Sequence, residues 1–479
     1  MKNDIRAVIE GLGYTIPDAQ VYKHINNWRD WYRGYFPAFH DYSQYNGRRR
    51  IKRQRKSLRM AKRVSEDHAN LLLNERVQIS IDNDRIQEAV DAALKANDFR
   101  VQGSRLVEKA YALGTGAFLE HSDGEGGVLI DYVSADMIFP TGWEGDKIID
   151  CIFASIKTAS DRKFLYLNIH KLEQGEYVIY NKMVPMDAGG AVMLQPEPGK
   201  GKKAKPRPAE QPPDAETGLL PSDIAPEVRT QSPTPRFQII GPNQVNNIDP
   251  DSPMGIAIFA NAIDVLEGID LVYDSYCGEF RLGKKRIIIP QSMLQLMQED
   301  DNAWLAFDDN DTEFYGLKDD NLTEIKEINM ELRTEAHDQA LQRFLNLLSE
   351  KCGLGNDRYD FEGGGVKTAT EVISEKSELY QNRKKNELII EAAIQDMCAA
   401  IAEIQGHKEK FEATIYFDDS IIEDSEAKRT RMQALVTQGK FPLWRFLYEY
   451  EGYSEQEAKE ITAEVETAEP PELTFEDQV

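Results

Sequence analysis

The sequence of 479 residues is poor in cysteine and histidine, the residues that most often bind zinc. Its four cysteines, Cys151, Cys277, Cys352 and Cys398, lie more than forty residues apart, and its seven histidines form no H-E-x-x-H motif. This spacing indicates neither a zinc site nor a disulfide framework. We therefore expect four reduced thiols, no metal and no cofactor.

Long apolar runs are also lacking. The mean hydropathy is −0.53, and no run of about 18 uninterrupted apolar residues occurs, so the sequence predicts neither a transmembrane helix nor a membrane partner. The beginning of the chain, MKNDIRAVIEGLGY, contains acidic residues and no apolar core. We expect no secretory signal.

Positive charge is scarce, because 57 Lys and Arg face 82 Asp and Glu, which leaves a net charge of −25. Attraction of nucleic acid to the chain as a whole is therefore excluded. One segment departs from this balance, since ten of the sixteen residues at 48–63 are basic. Such a cluster fits contact with DNA phosphates and pairing between acidic subunits equally well. The cluster comprises Arg48, Arg49, Arg50, Lys52, Arg53, Arg55 and Lys56.

Helical and strand-forming patterns divide the first half of the chain. Helical spacing of apolar residues predicts helices at Asp84–Ala96 and Phe99–Leu113. Residues 116–184 are rich in β-branched and aromatic residues, which predicts an antiparallel sheet of five or six strands. Residues 195–236 are dense in proline, lysine, glutamate and glycine, which predicts a disordered or loosely held insertion.

Three long helices are predicted in the second half. The first begins at the capping pair Ser252-Pro253 and reaches Leu282, the second runs from Glu331 to Cys352, and the third from Thr368 to about Gln405. One face of the first helix is acidic, and an acidic face turned toward a channel would repel a phosphate backbone. The alternative is a solvated surface. The acidic residues are Asp264, Glu267, Asp270 and Asp274.

Motifs for catalysis are incomplete. Gly278–Lys284 fits seven positions of a phosphate-binding P-loop, but Lys285 replaces the Ser or Thr that should bind magnesium, and the segment follows a helix instead of a strand. Asp309–Phe314 resembles the start of a calcium loop but lacks its glycine. We therefore predict that the protein is not an enzyme.

Four segments occur in an informative order. They are Ser57–Ile79, Pro242–Pro290, Phe361–Lys384 (FEGGGVKTATEVISEKSELYQNRK) and Ile415–Asp424 (IYFDDSIIED). In this order and spacing the sequence resembles, over nearly its whole length, the portal proteins of tailed double-stranded DNA bacteriophages, in the SPP1-like branch. The insertion at 195–236 departs from that family.

The resemblance implies an α+β, portal-type fold with long stem helices, a helical and β-sheet wing, a small α/β clip and a helical C-terminal crown, assembled as a cyclic ring. The implied divisions are 1–250 for the wing, 251–283 and 329–352 for the stem helices, 284–328 for the clip, 353–367 for the tunnel loop, 368–405 for a long wing helix, and 406–479 for a C-terminal strand and the crown.

The resemblance also implies a function in the virion. It implies a dodecameric channel at one capsid vertex, assembled in the host cytoplasm, through which double-stranded DNA is packaged and ejected. The implied partners are the terminase large subunit, scaffolding protein, major capsid protein and a head-completion or adaptor protein. A DNA-binding minor capsid or head-tail adaptor protein, which would use the basic cluster, is the alternative.

The tunnel loop is the segment that the resemblance places against DNA. Its glycines would let the chain flex as DNA passes, although a static turn explains them equally well. The predicted DNA-contact residues are Asn356, Asp357, Arg358, Tyr359, Gly363, Gly364, Gly365 and Lys367.

Overall fold

The computed structural model divides the chain into two compact units, Met1–Tyr416 and Phe417–Val479. The structure describes residues 2–45, 49–74, 76–159, 162–186, 220, 224–283, 286–290, 314–317, 326–356, 358–360, 369–417, 433, 436–437, 442–451 and 453–467. Within these ranges, no helix is both long and apolar enough to cross a membrane, and no cluster of His, Cys, Asp and Glu could hold a metal ion.

Six helices form the N-terminal part of the first unit. They are α1 (Lys2–Gly11), α2 (Ala19–Arg33), α3 (Pro37–His40), α4 (Met60–Leu72), α5 (Asp84–Ala96) and α6 (Phe99–Leu113). Helices α2, α4 and α6 pack against one another. The Asp18 carboxylate caps α2 by accepting a hydrogen bond from the Gln20 amide at 2.7 Å. The helices predicted at 84–96 and 99–113 are confirmed.

Two antiparallel sheets follow. A three-stranded sheet has the order β11-β4-β5, and a five-stranded sheet has the order β10-β9-β8-β7-β6. Gln174 and Gly175 join β8 to β9 with φ values of 52° and 88°, as a turn with two left-handed residues requires. The predicted antiparallel strands are therefore present, but two sheets share them. The strands are β4 (Gly116–Ser122), β5 (Val128–Ser134), β6 (Ile138–Glu144), β7 (Lys147–Ala159), β8 (Arg162–Glu173), β9 (Glu176–Pro185), β10 (Glu227–Arg229) and β11 (Phe237–Ile240).

The end of the predicted insertion belongs to the folded core. Residues 195–219 and 221–223 lie outside the described residues. Strand β10 pairs with β9 through Val228 and Ile179, and Ser232 donates a hydrogen bond to Glu403 at 2.9 Å. The prediction of a disordered segment is therefore wrong for residues 224–236, because backbone pairing and a side-chain contact outweigh their polar composition.

Two antiparallel helices, α7 (Ile263–Leu282) and α8 (Thr334–Lys351), flank a small sheet. Its strands are β12 (Arg286–Pro290), β13 (Phe314–Leu317) and β14 (Lys326–Ile328). Strand β12 lies parallel to β13 and antiparallel to β14. Helix α7 begins eleven residues later than Ser252, so the predicted helix start is wrong; a short 3-10 turn, Ala260–Ala262, precedes it.

Three glycines explain why the chain before α7 is not helical. Gly114 ends α6 with φ 88°, and a Cβ at Gly241 or Gly255 would overlap the carbonyl oxygen of Gly114. The backbone after β11 and the backbone before α7 therefore both cross the end of α6 at a distance that only glycine permits. This crossing explains why the residues that follow Ser252 and Pro253 are not helical, although these two residues form a helix-capping pair.

The longest helix, α9, spans Ala369–Ile404, about 54 Å at 1.5 Å per residue. It packs against β4, β11, α4 and α5, and its predicted extent is confirmed to within one residue at each end. Strand β15 (Ala413–Tyr416) then pairs with β3 (Gln78–Ile81). The second unit contains α10 (Leu443–Tyr450) and α11 (Glu455–Thr467), which pack together.

Candidate functional site

Helices α7 and α8 contact each other along one face of α7. A Cβ at Gly268 would lie 2.6 Å from the Phe344 ring, so the absence of a side chain there allows the helices to approach. Further along, Ser275 Oγ lies 3.0 Å from His337 Nε2. At the end nearest the small sheet, Arg333 forms an ion pair with Glu279.

The opposite face of α7 contacts the N-terminal helical group. Asp270 is 3% exposed, and its Oδ1 accepts a hydrogen bond from the Leu58 amide at 2.7 Å. Its Oδ2 lies 3.1 Å from Nε2 of the buried His40. One turn later, Asp274 accepts a hydrogen bond from the Lys56 amide at 3.2 Å. Burial raises the pKa of Asp270, although the hydrogen bonds from Leu58, Ser57 and His40 oppose this shift.

The acidic residues predicted to line a channel are therefore divided between two environments. Asp264 has a side chain that is 77% exposed and lies 3.4 Å from Lys351 Nζ, and Glu267 is half-buried. Asp270 is buried inside the chain, so its predicted place on an open acidic face is wrong. The acidic periodicity reflects two functions of α7, a solvent face and an attachment to the helical group.

The basic cluster forms a β-hairpin. Strand β1 (Asp41–Tyr45) pairs with β2 (Arg50–Gln54) in antiparallel register. At its base, the Arg55 guanidinium lies 4.7 Å from the Phe39 ring centre and 4.5 Å from that of Tyr42, which is a cation–π arrangement. Arg50 and Lys52 are exposed. Arg48 lies outside the described residues.

Two of the predicted DNA-contact residues bind the same buried carboxylate, that of Asp67. Tyr359 is 8% exposed, and its hydroxyl donates a hydrogen bond to Asp67 Oδ2 at 2.9 Å. Arg358 Nη2 donates to the other oxygen, Oδ1, at 3.1 Å, and Arg63 Nε contacts Oδ2 at 3.2 Å. Tyr359 is buried, so the prediction that it faces DNA is wrong; it attaches this segment to α4. Arg358 also binds Asp67 but is exposed, and its contact with DNA stays a prediction. Burial and the Asp67 carboxylate raise the pKa of Tyr359.

Other contacts fix the same segment, 352–360. His68 Nε2 lies 2.9 Å from the Cys352 carbonyl, and Ser349 donates a hydrogen bond to the Gly355 carbonyl. The His68 ring also stacks on Tyr111 with centroids 5.4 Å apart. Burial lowers the pKa of His68 to about 4, so the imidazole is neutral at pH 7. Among the other predicted contact residues, Asn356 is exposed, and Asp357, Gly363, Gly364, Gly365 and Lys367 lie outside the described residues.

Sequence reasoning missed Asp67 and His40 as attachment residues. Asp67 lies on α4 between apolar positions such as Val64 and Leu71, all of them buried. A charged residue on an otherwise apolar helix face is the signal that could have identified it, because buried carboxylates are almost always paired. His40 follows no comparable periodicity, since α3 has only four residues.

A third buried carboxyl, after those of Asp270 and Asp67, lies between the three-stranded sheet and α9. Glu120 on β4 is 1% exposed, and its Oε2 accepts a hydrogen bond from Gln238 Nε2 at 3.1 Å. Burial raises the pKa of Glu120 to about 8. The carboxyl is therefore protonated over most of the neutral range.

A family profile matches most of this chain. The profile described as "Phage portal protein, SPP1 Gp6-like" matches residues 17–163 and 235–471. The match covers helices α2 to α9 and omits 164–234, which includes most of β8 and all of β9 and β10. A search of curated proteins finds no match.

Solved structures show a more distant similarity. A chain titled "Neck of empty GTA particle computed with C6 symmetry" is 10% identical, with a TM-score of 0.43 over 85% of this chain and 89% of that chain. A chain titled "Neck of native GTA particle computed with C12 symmetry" is 10% identical, with a TM-score of 0.39 over 84% of this chain and 88% of that chain. The family profile, which matches well over half of the sequence, identifies this chain as a member of the SPP1-like family of phage portal proteins.

Proposed function

We propose that the protein assembles as a dodecameric ring at one vertex of the capsid and forms the channel through which double-stranded DNA is packaged and ejected. The family match over residues 17–163 and 235–471 carries this proposal. The paired helices α7 and α8 support it, since long amphipathic helices pack side by side in closed rings. On this basis the virion is the place of action.

We assign the parts of the chain to the family's divisions as follows. Helices α7 and α8 are the stem, and the small sheet β12–β14 is the clip at its end. The helical group, the two sheets and α9 form the wing, and the second unit contributes the crown. The exposed carboxylate of Asp264 is the acidic stem residue best placed to face a channel. The assignment of Gly363, Gly364, Gly365 and Lys367 to DNA contact rests on the sequence alone.

Four kinds of partner follow from this assignment. The clip would dock the terminase large subunit during packaging and a head-completion or adaptor protein afterwards. The wing and crown would meet the major capsid protein and the scaffolding protein, whose joint assembly the ring would nucleate. The portal family is structural, and we propose that this chain hydrolyses neither ATP nor DNA.

Imaging of the purified full chain by negative-stain electron microscopy, with the mass measured on the same sample, tests the ring. We expect rings with an axial hole and a mass of about 650 kDa, twelve times the chain mass of 54.5 kDa. Monomers in the absence and in the presence of scaffolding protein would contradict the proposal. They would favour a DNA-binding minor capsid or adaptor protein, which the exposed basic hairpin supports as a second candidate.

A further inference from the structure

Helix α7 has two flanks with different neighbours. Asp270 and Asp274, four residues apart, face the base of the hairpin β1–β2. Gly268, Ser275 and Glu279 face α8. At about 100° per residue, these two sets lie on opposite sides of the helix. The hairpin and α8 are therefore at the two lateral edges of one layer.

The hairpin edge is strongly basic, and two of its basic residues, Arg50 and Lys52, are exposed. Residues 41–56 contain seven Lys or Arg and a single acid, Asp41. Arg50 and Lys52 point to one face of β2, and their cross-strand neighbours are Tyr45 and Ser43. Neither basic side chain forms an ion pair with a described residue. The base of the hairpin is held by the contacts of Arg55 and Lys56, and Arg50 and Lys52 are exposed beyond it.

The outer edge of α8 is acidic. Arg333, His337 and Phe344 mark the side of α8 that faces α7. Glu335 and Asp338 lie about 160° and 100° from that side around the helix. Both carboxylates are exposed, and within the described ranges neither forms an ion pair.

The opposite charges lie on opposite flanks of the helix pair. Ser275 meets His337, next to Asp274, which holds the base of the hairpin at Lys56, and next to the acidic Asp338. One chain thus presents a basic edge and an acidic edge on opposite sides. Such an arrangement suits a head-to-tail contact between identical copies, which closes into a ring when the rotation allows.

We propose that the basic hairpin of one copy binds the acidic outer face of α8 in the next copy, through Arg50 and Lys52 against Glu335 and Asp338. This inference rests on the proposed ring and specifies its lateral contact. A second copy fits the hairpin better than DNA does, because the chain itself offers exposed carboxylates of opposite charge at Glu335 and Asp338. The contact also offsets the repulsion between chains of net charge −25.

A charge-swap experiment on the full chain tests the contact. Two variants, R50E/K52E and E335K/D338K, reverse one side each, and the fourfold variant combines them. Mass photometry over a series of protein concentrations gives the concentration for half-maximal assembly. We expect each double variant to raise this concentration about tenfold, and the fourfold variant to return it to within about twofold of wild type, because the pairs are restored with reversed sign.

Controls separate this contact from general charge and folding effects. The variant K95E/R100E makes the same change of net charge at two exposed residues away from the hairpin, and we expect it to assemble as wild type does. Circular dichroism and thermal melting of each variant should match wild type, since all four residues are exposed. Assembly of wild type should also weaken between 0.1 M and 1 M NaCl, where the Debye length falls from about 10 Å to about 3 Å.

Three outcomes would overturn the inference. Normal assembly of R50E/K52E would show that the hairpin makes no lateral contact. If that variant assembled normally but lost binding to a fluorescent DNA duplex, DNA would be its partner. Failure of the fourfold variant to recover would place the partner of the hairpin elsewhere. In all three cases wild type still assembles, whereas a monomeric wild type would contradict the ring itself.

Discussion

Replacing Asp67 by alanine tests whether the segment after α8 is held to α4 by one carboxylate. The side chain is 2% exposed and receives hydrogen bonds from Tyr359 at 2.9 Å and Arg358 at 3.1 Å. The third partner, Arg63, is 54% exposed, so solvent screening leaves it a minor contribution. Asp67→Ala therefore removes one buried hydrogen bond, from Tyr359, and one partly exposed ion pair, with Arg358, and leaves the Tyr359 hydroxyl without its acceptor.

The magnitude follows from these contacts. A hydrogen bond to a charged group contributes about 1.5–3 kcal/mol, and Arg358, at 32% exposure, can turn partly to water. We expect Asp67→Ala to lower the free energy of unfolding by about 3 kcal/mol, and Tyr359→Phe by about 1–2 kcal/mol, because the phenylalanine keeps the ring but loses one bond. Urea unfolding of the full chain, followed by tryptophan fluorescence, measures both values.

The neighbouring Glu66 provides the matched control. It lies on the same helix, is 40% exposed and contacts only Lys62 and Arg63 among its described ion-pair partners. Glu66→Ala should therefore change stability by less than about 0.5 kcal/mol. Equal losses for Asp67→Ala and Glu66→Ala would refute the reasoning, because they would show that burial of the carboxylate and its bond to Tyr359 contribute nothing.

Two further substitutions address the backbone crossing and the buried carboxyl. Gly255→Ala should destabilise the chain by about 3 kcal/mol in a urea titration, because the new Cβ would overlap the Gly114 carbonyl oxygen. The control Gly278→Ala, which places its Cβ where no atom lies within 4 Å, should be neutral or stabilising. Equal effects of the two substitutions would contradict the close backbone crossing at Gly114. Glu120→Gln should stabilise the chain at pH 8 but not at pH 4.5. The pKa of Glu120 is about 8 in the folded state against a usual 4.5, so between these pH values the folded state holds a proton that the unfolded state has lost. The stability of wild type therefore falls by up to about 1.4 kcal/mol per pH unit as the pH rises through this window. Thermal melting between pH 4 and pH 9 measures the slope, and identical slopes for the two proteins would show that Glu120 does not titrate in this range.

Periodic segments were predictable from the sequence, because their cause is local. Helices α5, α6 and α9 carry apolar residues at helical spacing, and α5 begins at Asn83, whose side chain accepts hydrogen bonds from two amides of the first turn. The start of α7 was not predictable in this way. Ser252 and Pro253 form a sound capping pair, but the approach of Gly255 to Gly114 involves residues 141 positions apart.

The candidate site was less predictable than the fold, since its contacts join distant parts of the chain. The acidic periodicity of α7 was visible, yet nothing near Asp270 in sequence indicates that His40, 230 residues away, buries it. Arg358 and Tyr359 likewise have the composition of a DNA-binding loop, and their engagement with Asp67 is set by tertiary packing. The basic cluster was recognised, but the antiparallel pairing of residues 41–45 with 50–54 was not predicted.

The chain enters and leaves the small sheet β12–β14 at a single place. Glu279 and Arg333 join the two helices there, and Arg286 pairs with Ile328 immediately beyond. The small sheet is therefore joined to the chain at the paired ends of α7 and α8, and replacing the sheet would leave the packing of Gly268 against Phe344 unchanged. If this sheet is the docking clip that we propose, a related protein could acquire a new docking partner by replacing the sheet alone, while the rest of the chain evolved under the separate demands of assembly.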